Sequence, residues 1–260
     1  DDKVYIGDNA PPEIYGIPDH QHGTERPTTF LRDDSDLGAE RLSRASSLLL
    51  LAGNAGIELM MDLLVADTFL RGNDNRRVTI HLSPINMHPS YATEEDVVQA
   101  IEHMENVHAG EVDGEESSSR LYAQNAARRL KDALENSRLE LITPSFYQTP
   151  LPFWAAPKPF AEHIGGFDFI ILKGDRHYRR LTGDLEHPSF TPFKRVVGNL
   201  LPPSTDLLAL RPLSFPGTCI GLPLMSVSKA RKRFSVSWDT TGILSVSELI
   251  SADEPKKIFV

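Results

Sequence analysis

The sequence predicts an α/β domain of the Rossmann-like type, with a doubly wound, mostly parallel sheet and helices on both of its faces. Short apolar runs of strand length, such as residues 47–52 and 167–173, alternate with longer segments of helical apolar spacing, such as residues 57–70. This alternation is typical of parallel sheets, because parallel neighbours need a crossover connection. The length of 260 residues suits one large domain or one domain with a cap.

The predicted elements follow one another along most of the chain. Residues 1–45 are rich in Pro, Asp, Gly and His and show no sustained period, so we expect an irregular N-terminal segment of loops with at most a short helix. We assign the α/β domain to residues 46–250 and a tail to residues 251–260. The predicted strands are 47–52, 78–82, 139–143, 167–173 and 207–213, with edge strands at 234–238 and 243–246; the predicted helices are 57–70, 93–107 and 121–136.

Composition excludes several classes of function. A formal net charge of −9 argues against a nucleic-acid-binding surface. The single cysteine, Cys219, cannot form an intrachain disulfide, and no apolar run approaches the length of a membrane span. We therefore expect a cytoplasmic protein that binds a small molecule and neither nucleic acid nor membrane. Basic residues cluster at 176–180, which we interpret as an anionic-ligand site, and at 229–233, which we interpret as a solvated turn.

The segment after the fourth predicted strand carries the strongest functional signal. Lys173 and Asp175 follow the apolar run directly, and ligands of open α/β sheets bind at the carboxyl ends of the strands. A surface ion pair is the alternative interpretation, and we favour the binding site. Asn54 and Glu58 follow the first predicted strand in the same way.

Several segments, in order along residues 47–250, resemble the metal-dependent damage-control phosphatases, a family also described as acidic-residue-methyltransferase-like. They are Asn54-Ala55-Gly56-Ile57-Glu58-Leu59, Phe153-Trp154 with Pro157, Lys173-Gly174-Asp175 with residues 178–184, Arg211-Pro212-Leu213, and Trp238 with Gly242. The resemblance implies an α/β fold, a ligand-binding lysine at Lys173, and hydrolysis of sugar or metabolite phosphates with Mn²⁺ or Mg²⁺.

The chain departs from the family pattern where the metal would bind. Gly53 stands where the family's turn begins with a metal-ligating aspartate. Tyr91 replaces a second metal-binding aspartate of the family, and Ser83 replaces a lysine. Hard divalent cations prefer carboxylate oxygens, which glycine and tyrosine do not supply. We therefore expect no metal cofactor; if a residual site for Mn²⁺ or Mg²⁺ exists, Asn54 and Asp175 are its candidate ligands.

Three hypotheses follow. The first is a metal-independent enzyme that applies acid/base chemistry to a small organic molecule in a cyclisation, isomerisation or elimination. The second is a metal-dependent phosphatase, and the third is a non-catalytic pseudoenzyme that keeps ligand affinity through Lys173. The candidate catalytic residues are Tyr91, Glu58, Asp175 and Lys173, and the candidate substrate-binding residues are Asn54, Ser83, His88, Trp154, Phe153 and Arg211.

Each candidate has a structural alternative. Glu58 could equally stabilise the amino terminus of its helix. Tyr91 could equally fill the space that a lost metal site leaves. For His88 we favour this space-filling role over a functional one. Phe153 and Trp154 are a type of side chain that usually serves the core.

Overall fold

The computed structural model describes residues 30–85, 90–107, 115–197, 200–202, 204–213, 220–234, 238–239 and 244–252, with the side chains of the fourth helix described from residue 118. In these parts of the chain, seven strands form one sheet in the order β1-β7-β6-β5-β2-β3-β4. The strands are β1 Phe30–Asp33, β2 Ser47–Leu51, β3 Arg77–His81, β4 Leu139–Ile142, β5 Phe169–Lys173, β6 Asp206–Pro212 and β7 Ser245–Ile250. Strands β2 to β6 are parallel, and β7 pairs antiparallel with β6. The predicted α/β class with a mostly parallel sheet is confirmed.

Helices cover both faces of this sheet. They are α1 Ser35–Arg44, α2 Ile57–Leu70, α3 Glu94–Glu105, α4 Glu115–Glu135, α5 Lys158–Ile164, α6 Gly174–Thr182, α7 Phe193–Val197 and α8 Leu224–Phe234. After Ser47, strand β2 is apolar because its successive side chains enter different cores. Leu48 and Leu50 pack with α2, α3 and α4, whereas Leu49 and Leu51 pack with α6 and α7.

The central elements match the sequence prediction apart from α4, which begins at Glu115 and not at 121, and the other differences lie at the ends of the chain and in short helices. Strands lie at all five predicted central positions, and α2 has the predicted bounds. Thr93 caps α3, since its hydroxyl accepts from the Asp96 backbone N–H while the Asp96 side chain accepts from the Thr93 N–H. Strand β1 lies where we expected no strand, whereas α1 agrees with the short helix allowed in this segment, so regular structure begins before residue 46.

Two predictions near the carboxyl end are wrong. Residues 229–233 belong to α8 and not to a solvated turn, and Phe234 ends that helix where we expected an edge strand. The last strand begins at Ser245 and continues to Ile250. The basic residues 229–233 resemble a charged turn in the sequence, and the helix is indicated only by the three-residue spacing of the buried Val227 and Ala230.

The sheet brings the ends of β2, β5 and β6 side by side. Leu51 of β2 lies opposite Leu172 of β5, and Lys173 of β5 lies opposite Leu210 of β6. Helix α6 starts at Gly174, directly after Lys173, with a φ of 79° that favours glycine. Among the described residues, no helix is both long and apolar enough to cross a membrane.

Candidate active site

A cavity of about 760 Å³ opens at the carboxyl edge of the sheet. Its walls come from the turn after β2, the start of α2, the end of β5, helix α6 and the segment after β4. Basic side chains outnumber acidic ones in its lining, four to three. The charged side chains of the lining are Lys173, Arg176, Arg179, Arg180, Glu58, Asp175 and Asp184.

Lys173 lies at the centre of an ion-pair cluster in the cavity wall. Its Nζ donates a hydrogen bond of 2.7 Å to Oδ1 of Asp62 and lies 3.8 Å from Oε1 of Glu58. The other oxygen of Glu58 accepts from Nδ2 of Asn54 at 2.9 Å. Glu58 and Asp62 come from adjacent turns of α2, so both carboxylates face the end of β5. This arrangement holds the ammonium group at the cavity wall with little freedom to move.

Asp62 is the buried member of this cluster. Its side chain is 4% exposed, and its Oδ2 has no hydrogen-bond partner among the described residues. Burial raises the pKa of Asp62 from 3.8 to about 6, and the Lys173 ammonium opposes part of that rise. Lys173 therefore stabilises the charged form of a carboxylate that its surroundings disfavour.

Asp175 begins a second chain of contacts that leads away from the cavity. Its Oδ1 lies 2.6 Å from Nη2 of Arg211, whose side chain is fully buried. The Arg211 guanidinium lies 4.6 Å from the ring centroid of Tyr178, and the Tyr178 hydroxyl donates to Oε2 of Glu248 at 2.7 Å. Burial raises the pKa of Asp175, and Arg211 opposes that rise. The contact with Arg211 therefore holds the Asp175 side chain on its side away from the cavity.

The arginines of α6 surround the cavity from the other side. The Arg176 guanidinium lies 4.3 Å from the ring centroid of Tyr91, and its Nη2 donates to the backbone oxygen of Tyr147 at 2.9 Å. Arg179 forms a bidentate pair with Asp184, with distances of 2.8 and 2.5 Å. Arg180 donates to the backbone oxygens of Leu151 and Phe146 in the segment after β4. The pKa of Arg180 falls to about 10 through burial, which leaves it charged at neutral pH.

Tyr91 and Asn54 meet across the turn that follows β2. They form an isolated antiparallel bridge, and the Ala55 N–H donates to the backbone oxygen of Ser90 at 2.7 Å. The segment with Tyr91 is therefore held against the turn with Gly53, and Tyr91 and Asn54 both line the cavity.

The cavity brings together some of the predicted residues and not others. Those in its lining are Lys173, Asp175, Glu58, Tyr91 and Asn54. Arg211 acts behind Asp175, and Ser83 is buried with its hydroxyl donating to the Ile85 oxygen. Phe153 packs against the apolar core below α6, and Trp154 packs on Gly183 at the cavity rim. His88 lies outside the described residues.

Asp62 is the site residue that sequence reasoning missed. The signal was its position four residues after Glu58 in a helix that is otherwise mostly apolar, since an acid within such a segment needs a partner. Arg176, Arg179 and Arg180 were part of the basic cluster interpreted as an anionic-ligand site, without separate roles.

The carboxylates of the cavity already have cationic or amide partners. Glu58 contacts Lys173 and Asn54, Asp175 contacts Arg211, and Asp184 contacts Arg179. Within the described parts of the chain, no three His, Cys, Asp or Glu side chains converge as a metal site would require. A Cβ atom on Gly53 would lie 2.8 Å from Oε1 of Glu58, so Glu58 occupies the space next to this position.

Comparison with known proteins gives one family match. Residues 17–215 match the family described as the damage-control phosphatase ARMT1-like domain. Among solved structures, a DUF89 family protein from Pyrococcus horikoshii is 19% identical, with a TM-score of 0.42, over 72% of this chain and 47% of that one. An O-methyltransferase family 2 protein from Planctomyces limnophilus, in complex with apigenin, is 16% identical with a TM-score of 0.26, over 71% of this chain and 36% of that one. The chain therefore spans less than half the length of either structure.

Proposed function

The chain belongs to the family of ARMT1-like damage-control phosphatase domains, and from that premise we propose that its cavity binds a small organic anion and acts on it by metal-independent acid/base chemistry. The reaction would be a cyclisation, an isomerisation or an elimination. The observation that carries the proposal is the position of Lys173, whose ammonium group lies at the cavity wall between the Asp62 and Glu58 carboxylates.

The donor set of the cavity does not suit a divalent cation. Such a cation needs several oxygen ligands, preferably carboxylates, at about 2 Å. Glu58 and Asp175 are each bound to a basic side chain, and a dication among Lys173, Arg176 and Arg179 would meet strong repulsion. Gly53 and Tyr91 stand where the family resemblance puts metal-ligating aspartates. The proposed reaction therefore uses only side chains of the protein.

The charged groups of the cavity suit an anionic substrate. Lys173 and Arg176 would hold its acidic group and stabilise negative charge that develops on a neighbouring carbonyl oxygen. Their own anionic partners keep them in place before the ligand arrives, so little ordering is needed on binding. Asp62 contributes only indirectly, by positioning Lys173.

Proton transfer would fall to Glu58 and Tyr91. Glu58 is part-buried at the cavity wall, and the Asn54 amide fixes its orientation, as a general base requires. Tyr91 lines the same cavity with the Arg176 guanidinium over its ring, and its hydroxyl would donate the proton or hydrogen bond. Glu58 would take a proton from carbon, and Tyr91 would supply one to oxygen.

The test measures proton exchange without metal. Small 2-oxo and 3-oxo acids are incubated with the protein in D₂O and EDTA, and NMR follows deuterium uptake next to the carbonyl. We expect catalysed uptake that falls at least about 100-fold in Glu58→Gln, the range expected for loss of a general base. Glu140→Gln, at an exposed position of β4, is the matched control. Catalysed uptake that persists fully in Glu58→Gln, Tyr91→Phe and Lys173→Met would contradict the proposal.

A metal-dependent phosphatase is the second candidate, favoured by the family membership itself. Phosphate release from a panel of sugar and metabolite phosphates, with Mn²⁺, Mg²⁺, Co²⁺ or Ni²⁺ against EDTA, separates the two. Release that EDTA abolishes supports the phosphatase and contradicts the metal-independent site. Anion binding without turnover in either assay supports instead the third hypothesis, a pseudoenzyme that retains ligand affinity.

A further inference from the structure

Arg180 is a buried cation in the wall of the cavity. Only 9% of the residue is exposed, and it belongs to the cavity lining. Its Nε donates to the Leu151 oxygen at 3.1 Å, and its Nη2 donates to the Phe146 oxygen at 3.1 Å and lies 3.5 Å from the Thr149 hydroxyl. These acceptors are all neutral. Among the described residues, Arg180 forms no ion pair with a carboxylate, although a buried arginine normally has such a partner.

The acids of the cavity lining are bound to other basic side chains. The pairs are Glu58 with Lys173, Asp175 with Arg211, and Asp184 with Arg179. The described lining therefore leaves the charge of Arg180 without an anion of the protein. A buried cation in this position is stabilised when an anion from outside the protein binds next to it.

The third nitrogen of Arg180 is able to bind such an anion. Nη1 bonds to none of the described residues and is not enclosed by them, so it remains in contact with solvent. Because Arg180 lines the cavity, we infer that this donor reaches the space in which a ligand binds. Nε and Nη2 are already occupied, which leaves only the N–H groups of Nη1. That donor suits one carboxylate, whereas a phosphate group, with three oxygens, is usually held by several donors.

Arg180 lies close to Arg176, which the proposed function assigns to the acidic group of the ligand. The two residues are one turn apart on α6, and their guanidinium carbons lie 5.5 and 5.7 Å from the same ring centroid, that of Tyr147. Four residues rise by about 6 Å along a helix axis. The pKa of Arg180 is lowered first by burial and next by the Arg176 charge, as expected for neighbouring cations. Two anionic groups separated by a short carbon chain would meet both guanidinium groups.

We propose that the ligand is a short dicarboxylic acid and that Arg180 selects its second carboxylate. The first carboxylate would bind at Lys173 and Arg176, and the second would accept from Nη1 of Arg180. A cavity of about 760 Å³ accommodates such a molecule. The inference rests on the proposed function, because it names the class of organic anion that the same cavity takes and assigns Arg180 as a specificity-determining residue.

Calorimetric titration of matched ligand pairs tests the inference. Glutarate is compared with glutaramate, in which a neutral amide of similar size replaces one carboxylate, and adipate is compared with adipamate. We expect each diacid to bind at least about tenfold more tightly than its amide, the usual gain from a hydrogen bond to a charged group. In the D₂O exchange assay, 2-oxoglutarate should have a KM at least about tenfold below that of 2-oxopentanoate, which has the same chain length and one carboxylate.

Substitutions of Arg180 locate the effect. The ratio of diacid to amide affinity should fall to about one in Arg180→Gln and stay intermediate in Arg180→Lys, which keeps a charge but loses the planar guanidinium. The affinity for glutaramate should stay within about threefold of the original value in both variants. Arg195→Gln, the same substitution at an exposed position of α7 outside the cavity lining, is the matched control and should leave both affinities unchanged.

A purely structural role of Arg180 has a different signature. Its bonds to Phe146 and Leu151 also hold the segment after β4, and movement of that segment would weaken diacid and amide in parallel. An unchanged ratio in Arg180→Gln would therefore overturn the assigned role of Arg180. Inorganic phosphate that binds more tightly than glutarate would overturn the choice of a ligand with two separate acidic groups.

The outcomes separate this inference from the proposed function. Equal affinity for diacid and amide in the original protein, with binding and proton exchange of monocarboxylates intact, would overturn the inference and leave the proposed function in place. Failure of every anion to bind or exchange would remove the proposed function and this inference with it.

Discussion

Lys173 and Asp62 form the contact on which the rest of the site depends. Asp62 is almost fully buried, and its pKa of about 6 in the folded protein lies above its ordinary value of 3.8. A raised pKa means that the folded protein binds the proton more tightly than the unfolded chain does. Asp62 therefore costs the fold stability as pH rises from about 4 to above 6, and Lys173 limits that cost.

Replacement of Lys173 should reveal the unpaired carboxylate. In Lys173→Met we expect the free energy of unfolding at pH 8 to fall by about 3–5 kcal/mol, the usual effect of leaving a buried charge without its partner. The loss should shrink markedly at pH 5, because Asp62 is then protonated and needs no counterion. Urea denaturation at the two pH values measures both quantities.

The control for this substitution is Lys158→Met. Lys158 is 85% exposed and pairs with Glu162 one turn away, so its removal should change stability by less than about 0.5 kcal/mol at either pH. A Lys173→Met loss that is the same at pH 5 and pH 8 would contradict the role assigned to Asp62.

For single residues, the sequence predicted which side chains lie at the strand ends but not which side chains they contact. Lys173 and Asn54 could be placed because the carboxyl ends of neighbouring parallel strands meet at one edge. Asp62 could not, because its role depends on how α2 is rotated against the sheet. Arg211 was expected in the binding set, yet it contacts Asp175 from behind, a difference that only the packing of β6 against α6 decides.

Strand β7 and helix α6 are joined through a buried acidic side chain. Glu248 lies on β7 and is fully buried, and it accepts a hydrogen bond from Tyr178 of α6. Burial raises the pKa of Glu248 to about 7, although the Tyr178 hydrogen bond opposes the rise. The folded-state pKa again lies above the ordinary value of 4.5, so this acid costs stability as pH rises from about 4.5 to 7.

Glu248→Gln should remove that cost and keep the hydrogen bond, since an amide oxygen can still accept from Tyr178. We expect the variant to match the original protein at pH 5 and to exceed its free energy of unfolding at pH 8 by about 1–3 kcal/mol. Urea denaturation across this range is the measurement, with Glu140→Gln at an exposed position as the control. A variant that is less stable than the original protein at pH 8 would show that Glu248 is charged and well compensated.

The end of α6 offers a second test between elements. Gly183 has a left-handed backbone, with a φ of 70° and a ψ of 16°, and the Trp154 indole lies directly against it. The left-handed backbone alone should make an alanine at this position cost about 1–2 kcal/mol. We expect Gly183→Ala to cost at least about 2 kcal/mol, because the indole must also move. Thermal unfolding of Gly183→Ala in the original protein and in a Trp154→Ala background separates the two contributions, and equal losses in both would contradict the contact with Trp154.

The helices and strands with the clearest apolar patterns were the ones that the sequence predicted correctly. Strands such as β2 are continuous apolar runs because both of their faces are buried, and their short length and the turn residues that follow distinguish them from buried helices. Helix α6 has few apolar residues and starts without a loop after Lys173, so no helix was predicted there, and its basic residues were interpreted only as an anionic-ligand site. Its arginines point to the cavity and to the aromatic segment after β4, and only those contacts explain their number.

For the molecule as a whole, the charge of the cavity is opposite to the charge of the chain. The formal net charge is −9, yet basic groups outnumber acidic ones in the cavity lining. An anionic ligand is therefore repelled at long range and attracted at short range. Salt screens the distant repulsion more than the contacts within the cavity, so association of an anion should not slow steeply with ionic strength.

Binding of a metal ion would raise the stability of the whole fold. A ligand that binds the folded state at 100 times its dissociation constant adds about 2.7 kcal/mol to stability. Because the cavity carboxylates are paired with basic groups, we expect the unfolding temperature to be unchanged by millimolar Mn²⁺ or Mg²⁺ and by EDTA. Differential scanning fluorimetry measures it, without reference to any activity.

A designed variant makes this result informative. Gly53→Asp combined with Tyr91→Asp returns carboxylates to both positions. The new side chain at 53 must displace the Glu58 carboxylate from its contact with Asn54 and pack 3.3 Å from the Lys173 backbone oxygen. We expect this double variant to gain a Mn²⁺-dependent rise in unfolding temperature that EDTA reverses. If the unaltered protein itself shows that rise, then Asn54, Asp175 and Glu58 bind metal despite their basic partners, and the phosphatase becomes the better account of the site.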